Sequence, residues 1–144
     1  MKKFLLTCIA VACSLVAVAE ELLIEAESFS QRGGWVIDQQ FMDQMGSPYL
    51  MAHGMGIPVA DATAEINIPQ AGTYYVYART YNWTSPWTDA EGPGKFRLAL
   101  GGKLLKATLG HTGNSWQWQF AGKTVLKACL LYTSPSPRDM RRSR

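Results

Sequence analysis

The sequence predicts an all-β protein, an antiparallel β-sandwich, over Glu20–Lys127. Short apolar or alternating runs recur along this segment, and Gly, Pro and Asn separate them. No long stretch repeats its apolar residues with a helical period. Several short strands with turn signals at close intervals are typical of a β-sandwich.

The first 19 residues have the pattern of a secretory signal peptide. Met1–Lys3 is basic, Phe4–Val18 is an apolar run, and Ala17–Ala19 supplies a small-x-small cleavage pattern. The apolar run is too short for a stable membrane span, so we expect none after signal removal. A lipoprotein leader using Cys13 is a minor alternative. The sequence therefore predicts an exported protein, periplasmic or extracellular.

The other end of the chain, residues 128–144, is interpreted as an artefactual or disordered tail. Cys129–Asp139 reads CLLYTSPSPRD, which is one frame of the transposase adapter used to prepare DNA sequencing libraries. The alternative is a natural flexible tail rich in Ser, Pro and Arg. Under the adapter interpretation, the sandwich lacks its last one or two strands. We then expect an unpaired sheet edge and poor solubility.

Charge and cysteine content change when both ends are set aside. Eight of the 14 Lys and Arg and ten of the 11 Asp and Glu lie in Glu20–Lys127, so the net charge there is −2 rather than +3. This balance gives no support for nucleic acid as a partner. All three cysteines lie outside the segment, so disulfides do not stabilise it.

Each predicted strand follows from a local pattern. In the first half, Leu22–Ala26 is an apolar run, Ala62–Ile68 alternates, and two shorter runs give weaker strands, Trp35–Asp38 and Tyr49–Ala52. In the second half, Gly101-Gly102 suits a two-residue hairpin turn. The strands around and after that turn are Thr73–Tyr81, Phe96–Leu100, Lys103–Leu109, Trp116–Phe120 and Lys123–Leu126. The stretches Gln39–Asp61 and Asn82–Gly94 are predicted loops, where binding surfaces are common.

Aromatic residues are the first functional signal. Trp83 and Trp87 lie in the second loop, where an indole either stacks on a sugar ring or covers the end of the core. Trp118 shares a strand face with Trp116 and Phe120, and alternation with glutamines favours core packing there. Tyr75, Tyr77 and Arg79 share the outward face of their strand, as a platform or simply as good strand formers.

Metal and catalytic patterns are weak. Glu25 and Glu27 stand two apart on the first predicted strand, where their carboxylates suit Ca²⁺ or simply face solvent. A Met-rich stretch around His53 resembles a Cu(I) site, but Met as a gap-filler under a long loop is favoured. Gly54-Met55-Gly56 is followed by Pro58 and no helix pattern, so it is rejected as a dinucleotide fingerprint. No catalytic residue is predicted.

Three blocks of sequence carry a family resemblance. The blocks are Glu25–Phe29 with Gly33–Leu50 and Ala52–Gly54; Arg79-Thr80, Asn82-Trp83 and Pro86-Trp87; and Trp116–Gln119. Through these blocks the chain resembles the N-terminal accessory domain of exported FAD-dependent oxidoreductases of Bacteroidetes-type bacteria. The resemblance implies a carbohydrate-binding-like sandwich over residues 20–127, FAD in the parent protein, and the protein's own downstream catalytic domain as a partner.

A looser similarity, through Glu25-Ala26-Glu27, is to calcium-stabilised carbohydrate-binding modules of the jelly-roll type. It implies a structural Ca²⁺ at Glu25 and Glu27 whose closing ligand would lie beyond Lys127.

The expected function is a non-catalytic domain that presents loop aromatics to a glycan or to its own enzyme. The alternative is a purely structural spacer, or a lid domain of a carbohydrate-active enzyme. The predicted ligand-binding residues are Trp83, Trp87 and Tyr49, with Asp43, His53 and Arg79 as polar partners.

Overall fold

The computed structural model describes residues 21–53 and 57–136, with side chains through Ala128. The predicted signal peptide, the rejected glycine motif at Gly54–Gly56 and residues 137–144 lie outside the described residues.

Strands dominate the described residues. A 3-10 turn covers Ala26–Ser28, and one short helix, α1, covers Met42–Met45. The strands are β1 (Trp35–Asp38), β2 (Tyr49–Ala52), β3 (Ala64–Ile68), β4 (Gly72–Thr80), β5 (Arg97–Leu100), β6 (Lys103–Leu104), β7 (Gln117–Leu126) and β8 (Cys129–Ser136).

All the strand pairs are antiparallel, which confirms the predicted fold class. One sheet has the order β3-β8-β5-β6, a second pairs β4 with β7, and a third pairs β1 with β2. The apolar residues of the first two sheets meet in one core. Its buried members are Ile66, Ile68, Leu100, Leu105, Leu109, Ala121 and Leu126.

The hairpin between β5 and β6 forms where Gly101-Gly102 predicts it. Both glycines have positive φ, at 57° and 77°, which the tight turn needs and which glycine adopts without strain. The returning strand is shorter than predicted, because regular pairing stops after Leu104. Beyond that point, Leu109 still exchanges backbone hydrogen bonds with Phe96.

Strand β7 joins what the sequence predicts as two strands. It runs beside β4 in register, and a bulge between Val76 and Tyr77 places two consecutive β7 residues, Ala121 and Gly122, towards the same side. Ala121 is buried in the core, whereas Phe120 faces out opposite Tyr77. The bulge therefore keeps both halves of β7 in one ladder.

The core placement predicted for Trp118 and Phe120 is wrong. Trp118 is 59% exposed and Phe120 is 48% exposed. The inward positions at this end of β7 are instead Gln117 and Gln119, whose side-chain amides donate to the Thr112 carbonyl oxygen at 3.2 Å and 3.5 Å. The predicted alternation is correct, but the inward face is the polar one, and its glutamine side chains hydrogen-bond to the loop at Thr112.

The predicted first strand, Leu22–Ala26, is also absent. These residues carry no strand pairing, and the chain enters a 3-10 turn at Ala26. A strand needs a neighbouring backbone to bond to, yet an open groove of about 870 Å³ lies between Leu22–Glu25 and β3. Leu22, Leu23 and Ile24 are exposed along it.

Residues Cys129–Ser136, predicted to lie in a tail, form strand β8 between β3 and β5, so the disordered-tail interpretation fails for them. Two flanking strands offer unpaired backbone groups, and any extended segment satisfies them whatever its side chains. Pro135 lies past the end of the β3 pairing, beside β5 alone, where its missing N–H is tolerated. The adapter origin of this string stays a prediction.

Candidate functional site

The loop Asn82–Gly94 is held in shape by successive short-range hydrogen bonds. The backbone N–H of Ser85 donates to the Asn82 carbonyl at 3.0 Å, and those of Trp87 and Thr88 donate to the Thr84 carbonyl at 3.0 Å and 3.1 Å. Thr84 Oγ1 also donates to Asn82 Oδ1 at 2.8 Å, and Asn82 is buried. These turns fix the backbone that carries the two loop tryptophans.

Trp83 and Trp87 lie at the surface together. They are 48% and 71% exposed, and their ring centroids are 5.9 Å apart with an interplanar angle of 70°. This edge-to-face contact is a favoured aromatic geometry. The two indoles therefore support each other's orientation while leaving ring faces open to solvent, and they do not cover the core.

A polar pocket of about 240 Å³ lies between the same loop and residues 111–114, and its lining includes neither Trp83 nor Trp87. Its lining contributes hydroxyl, amide, carboxylate and imidazole groups, a mixed set of hydrogen-bond donors and acceptors. The lining side chains that supply these groups are Asn82, Ser85, Thr88, Asp89, Glu91, His111, Thr112 and Asn114.

The charge of the pocket centres on Glu91. Lys95 Nζ donates to Glu91 Oε2 at 2.7 Å, and His111 Nε2 lies 3.6 Å from Glu91 Oε1. The hydrogen bond from Lys95 and its positive charge, followed by the charge of His111, lower the pKa of Glu91. Its carboxylate is therefore ionised at neutral pH and is a strong acceptor. The backbone N–H of Gly92 donates to the His111 carbonyl at 2.8 Å, which ties the two loops together.

Tyr49, a predicted ligand residue, is instead only 8% exposed. Its ring contacts Trp116 at 4.9 Å, and Trp116 stacks on Tyr81 at 5.5 Å. The Tyr49 hydroxyl donates to Asp38 Oδ2 at 3.0 Å and accepts from the Phe41 N–H at 3.2 Å. This placement makes Tyr49 part of a packed aromatic cluster.

Burial and hydrogen bonds shift the pKa values of Tyr49 and Asp38 in opposite directions. Burial first, and then the neighbouring Asp38 carboxylate, raise the pKa of Tyr49 to about 12. Burial alone would raise the pKa of Asp38, but hydrogen bonds from the Gln40 N–H, the Tyr49 hydroxyl and the Gln39 N–H outweigh it, and the net pKa lies below the ordinary value.

The three polar residues predicted as ligand partners lie apart from the tryptophan pair. Asp43 is exposed on α1 and His53 is exposed just after β2. Arg79 Nη1 donates to the Met45 carbonyl at 2.8 Å, which ties β4 to the end of α1. None of these side chains lines the polar pocket of the loop in the described structure.

The outward face of β4 and β7 is a second surface, which sequence reasoning found only in part. We call Tyr75, Tyr77, Trp118 and Phe120 the aromatic platform. Tyr75 and Tyr77 are 64% and 53% exposed, and their ring centroids lie 6.5 Å and 5.2 Å from that of Phe120. The outward alternation of the tyrosines was the available signal, and the cross-strand register supplies their partners.

Glu25 and Glu27 do not share a strand face, because Glu25 precedes the 3-10 turn and Glu27 lies within it. In the described residues, no group of three or more His, Cys, Asp or Glu side chains is placed to hold a metal ion. Two carboxylates fall short of the roughly six to eight oxygen ligands of Ca²⁺. Calcium at this position stays a prediction from the sequence.

Comparison with solved structures relates the fold to β-sandwich carbohydrate-binding modules. The chain aligns with the Podospora anserina GH26-CBM35 β-(1,4)-mannanase at 16% identity and a TM-score of 0.59, over 78% of this chain and 23% of that one. It aligns with a family 35 carbohydrate-binding module from Clostridium thermocellum at 19% identity and a TM-score of 0.53, over 72% and 75%.

A third similar structure is the cycloisomaltooligosaccharide glucanotransferase from Paenibacillus sp., at 18% identity and a TM-score of 0.52, over 78% of this chain and 15% of that one. The chain thus spans a small part of the two enzymes, and the likeness at these identities concerns the fold.

No model of a known protein family matches the sequence, and no curated protein matches it significantly. Neither helical segment in the described residues is long and apolar enough to cross a membrane.

Proposed function

We propose that this chain carries a non-catalytic carbohydrate-binding domain of an exported protein, and that the glycan binds at Trp83, Trp87 and the polar pocket of the same loop. The observation that carries the proposal is the exposure of two mutually supported indoles on a loop that also lines a pocket of mixed donors and acceptors. We call this the loop-end site.

The chemistry of the loop-end site suits a sugar. An indole face accepts the C–H groups on the apolar side of a pyranose ring, and it loses little side-chain entropy. The ionised Glu91 carboxylate then accepts hydrogen bonds from sugar hydroxyls, and the Asn114 side-chain amide both accepts and donates them. Because hydrogen bonds already hold the loop in place, ordering the loop on ligand binding costs little free energy.

The wider assignment is an accessory domain at the N-terminus of a secreted FAD-dependent oxidoreductase. Two findings support an accessory role: the sequence blocks that resemble this family, and a fold shared with modules attached to much longer enzymes. FAD would then belong to the downstream catalytic domain, which is also the expected intramolecular partner. A spacer without ligand leaves the exposed Trp83 and Trp87 unexplained.

The test is binding of the full chain to a panel of neutral glycans, by array and by affinity gel electrophoresis. We expect Trp83→Ala and Trp87→Ala each to weaken binding of the retained glycan about tenfold or more, as for an aromatic anchor that the ligand covers on binding. Val125→Ala is the control, because it removes an exposed apolar side chain that belongs neither to this loop nor to the aromatic platform. Unaltered binding in both loop variants would remove this site.

A further inference from the structure

The aromatic platform is not explained by folding. The opposite face of β4 packs on the core through Tyr74, Val76 and Ala78. Tyr77 and Phe120, by contrast, face solvent opposite each other. Aromatic residues are good strand formers, which accounts for one or two of them. Four large rings side by side on an exposed face are unusual for a surface without a partner.

Charged side chains border the platform at both ends. Arg79 stands opposite Trp118 at one end, and Lys123 stands opposite Tyr75 at the other. Arg79 lies four positions after Tyr75 along β4, which is roughly 13 Å at the usual rise per residue. Neither cation pairs with a carboxylate among the described residues. The outward face of the β4–β7 ladder contains no Asp or Glu.

Arg79 is also held in position. Its Nη1 donates to the Met45 carbonyl at 2.8 Å, and its Nη2 lies 3.5 Å from the Gln44 carbonyl oxygen. A guanidinium has five N–H donors in a rigid fork, so two backbone contacts orient it while others remain. The end of α1 therefore forms a wall at one end of the platform and presents a fixed positive charge there.

We infer that the aromatic platform is a second polysaccharide site, separate from the loop-end site, and that its ligand is an extended acidic glycan whose sugar rings carry carboxylates. The rings of Tyr77 and Trp118 would lie under successive sugar faces. Arg79 and Lys123 would contact carboxylates at the two ends, which is a charge complementarity that a neutral glycan lacks.

A second copy of the chain is a poorer occupant. A two-fold interface places the same patch on both subunits, so Arg79 and Lys123 of one copy would meet the same cationic face of the other. Like charges opposed across an interface disfavour association. The number of copies in solution is therefore a separate outcome of the test.

The experiment is affinity electrophoresis and calorimetry of the full chain with polygalacturonate, and with its methyl ester as the neutral counterpart. We expect the acid form to bind and the ester to bind at least about tenfold more weakly, because esterification removes the charges that Lys123 and Arg79 recognise. Tyr77→Ala and Trp118→Ala should each reduce polygalacturonate affinity at least about tenfold. Lys123→Gln should reduce it less and flatten its dependence on salt.

Two controls separate this inference from the proposed function. Trp87→Ala removes an indole from the loop-end site and should leave polygalacturonate binding unchanged. Val125→Ala removes an exposed apolar side chain from the same sheet face but outside the platform, and it should also have no effect. Circular dichroism and sedimentation establish that each variant is folded and in the same association state.

Three results would overturn the inference. The first is no binding of polygalacturonate by the wild-type chain, and the second is equal binding of the acid and ester forms. The third is unchanged polygalacturonate affinity in folded Trp118→Ala and Tyr77→Ala. If these variants change only the sedimentation of the chain, the face joins copies of the chain and does not bind a glycan. Loss of neutral-glycan binding in Trp87→Ala alone bears on the loop-end site and not on the platform.

Discussion

Replacing Tyr49 with Phe separates a structural role of this residue from the ligand-binding role that the sequence predicts. Tyr49 is buried, and its hydroxyl links the Asp38 carboxylate to the Phe41 N–H. The substitution keeps the ring contact with Trp116 and removes only the oxygen. Stability should therefore fall, while binding of neutral glycan at Trp87 stays at the wild-type level.

The magnitude follows from the hydrogen bond and from the pKa. A hydrogen bond to a charged group contributes about 1.5 to 3 kcal/mol, so we expect Tyr49→Phe to lower the free energy of unfolding by about 2 kcal/mol at pH 7. The pKa of Tyr49 is raised from 10.0 to about 12. Two pKa units correspond to about 2.7 kcal/mol of preference for the neutral phenol in the folded state.

The pH dependence has a definite sign. A raised pKa stabilises the fold fully below pH 10, where the unfolded tyrosine is still protonated, and this contribution is lost between pH 10 and about 12. The wild type should therefore lose stability through this interval, and Tyr49→Phe should not lose this part. Every other residue is the same in both proteins, so the difference between the two curves isolates Tyr49.

The assay is urea unfolding followed by tryptophan fluorescence from pH 7 to pH 12. Tyr75→Phe is the matched control, since Tyr75 is exposed on the platform, and a surface change of this kind stays within about 0.5 kcal/mol. Equal unfolding midpoints for Tyr49→Phe and wild type at pH 7, together with parallel alkaline curves, would refute the reasoning.

Three further predictions concern the core, a turn and acid stability. Leu109→Ala should cost about 2 to 5 kcal/mol in urea unfolding, because Leu109 is 1% exposed and the cavity is enclosed by the core. Gly110→Ala should cost more than about 1 kcal/mol, since φ is +80° and a Cβ would lie 2.5 Å from the Gly94 carbonyl oxygen; an unchanged midpoint would contradict this. Asp38 has a lowered pKa, so its contribution is present above its unfolded pKa near 4 and is lost as pH falls through the lower folded value. Asp38→Asn should therefore flatten the acid limb of the stability curve, and equal slopes in the two proteins would count against it.

Local patterns predicted much of the fold. The spans Trp35–Asp38 and Tyr49–Ala52 are the observed β1 and β2, and Thr73–Tyr81 differs from β4 by one residue at each end. The Gly101-Gly102 turn is where predicted. Each of these features depends on the few residues that form it, so their own spacing and turn chemistry suffice.

The failures involve partners distant in sequence. Leu22–Ala26 has the composition of a strand, but no backbone lies against it in the described structure. Conversely, Cys129–Ser136 pairs with two strands, although its own sequence reads as a tail. Pairing energy comes from the neighbouring backbone, which a single segment does not reveal.

The candidate binding surfaces also divide into one that local sequence predicts and one that depends on residues distant in sequence. Trp83 and Trp87 were found because their loop is bounded by Pro and Gly, and a loop is at the surface by construction. Trp118 was missed because alternation gives two faces without saying which one is buried. The choice depends on what covers each face, and here the Thr112 carbonyl accepts hydrogen bonds from the Gln117 and Gln119 amides, and the Gly110 N–H donates to Gln119 Oε1.

The inward residues at this end of β7 are glutamines that hydrogen-bond to a loop, so hydrophobic burial stabilises this end little. The outward residues are Trp118 and Phe120, which are exposed. Burial of apolar area normally drives such rings inward, by about 25 cal/mol per Å². A sequence that places glutamine inside and tryptophan outside over the same few residues gives up that stabilisation. The loss is understandable if the outward rings bind something, which is why the β4–β7 face, and not only the loop-end site, is where binding should be measured.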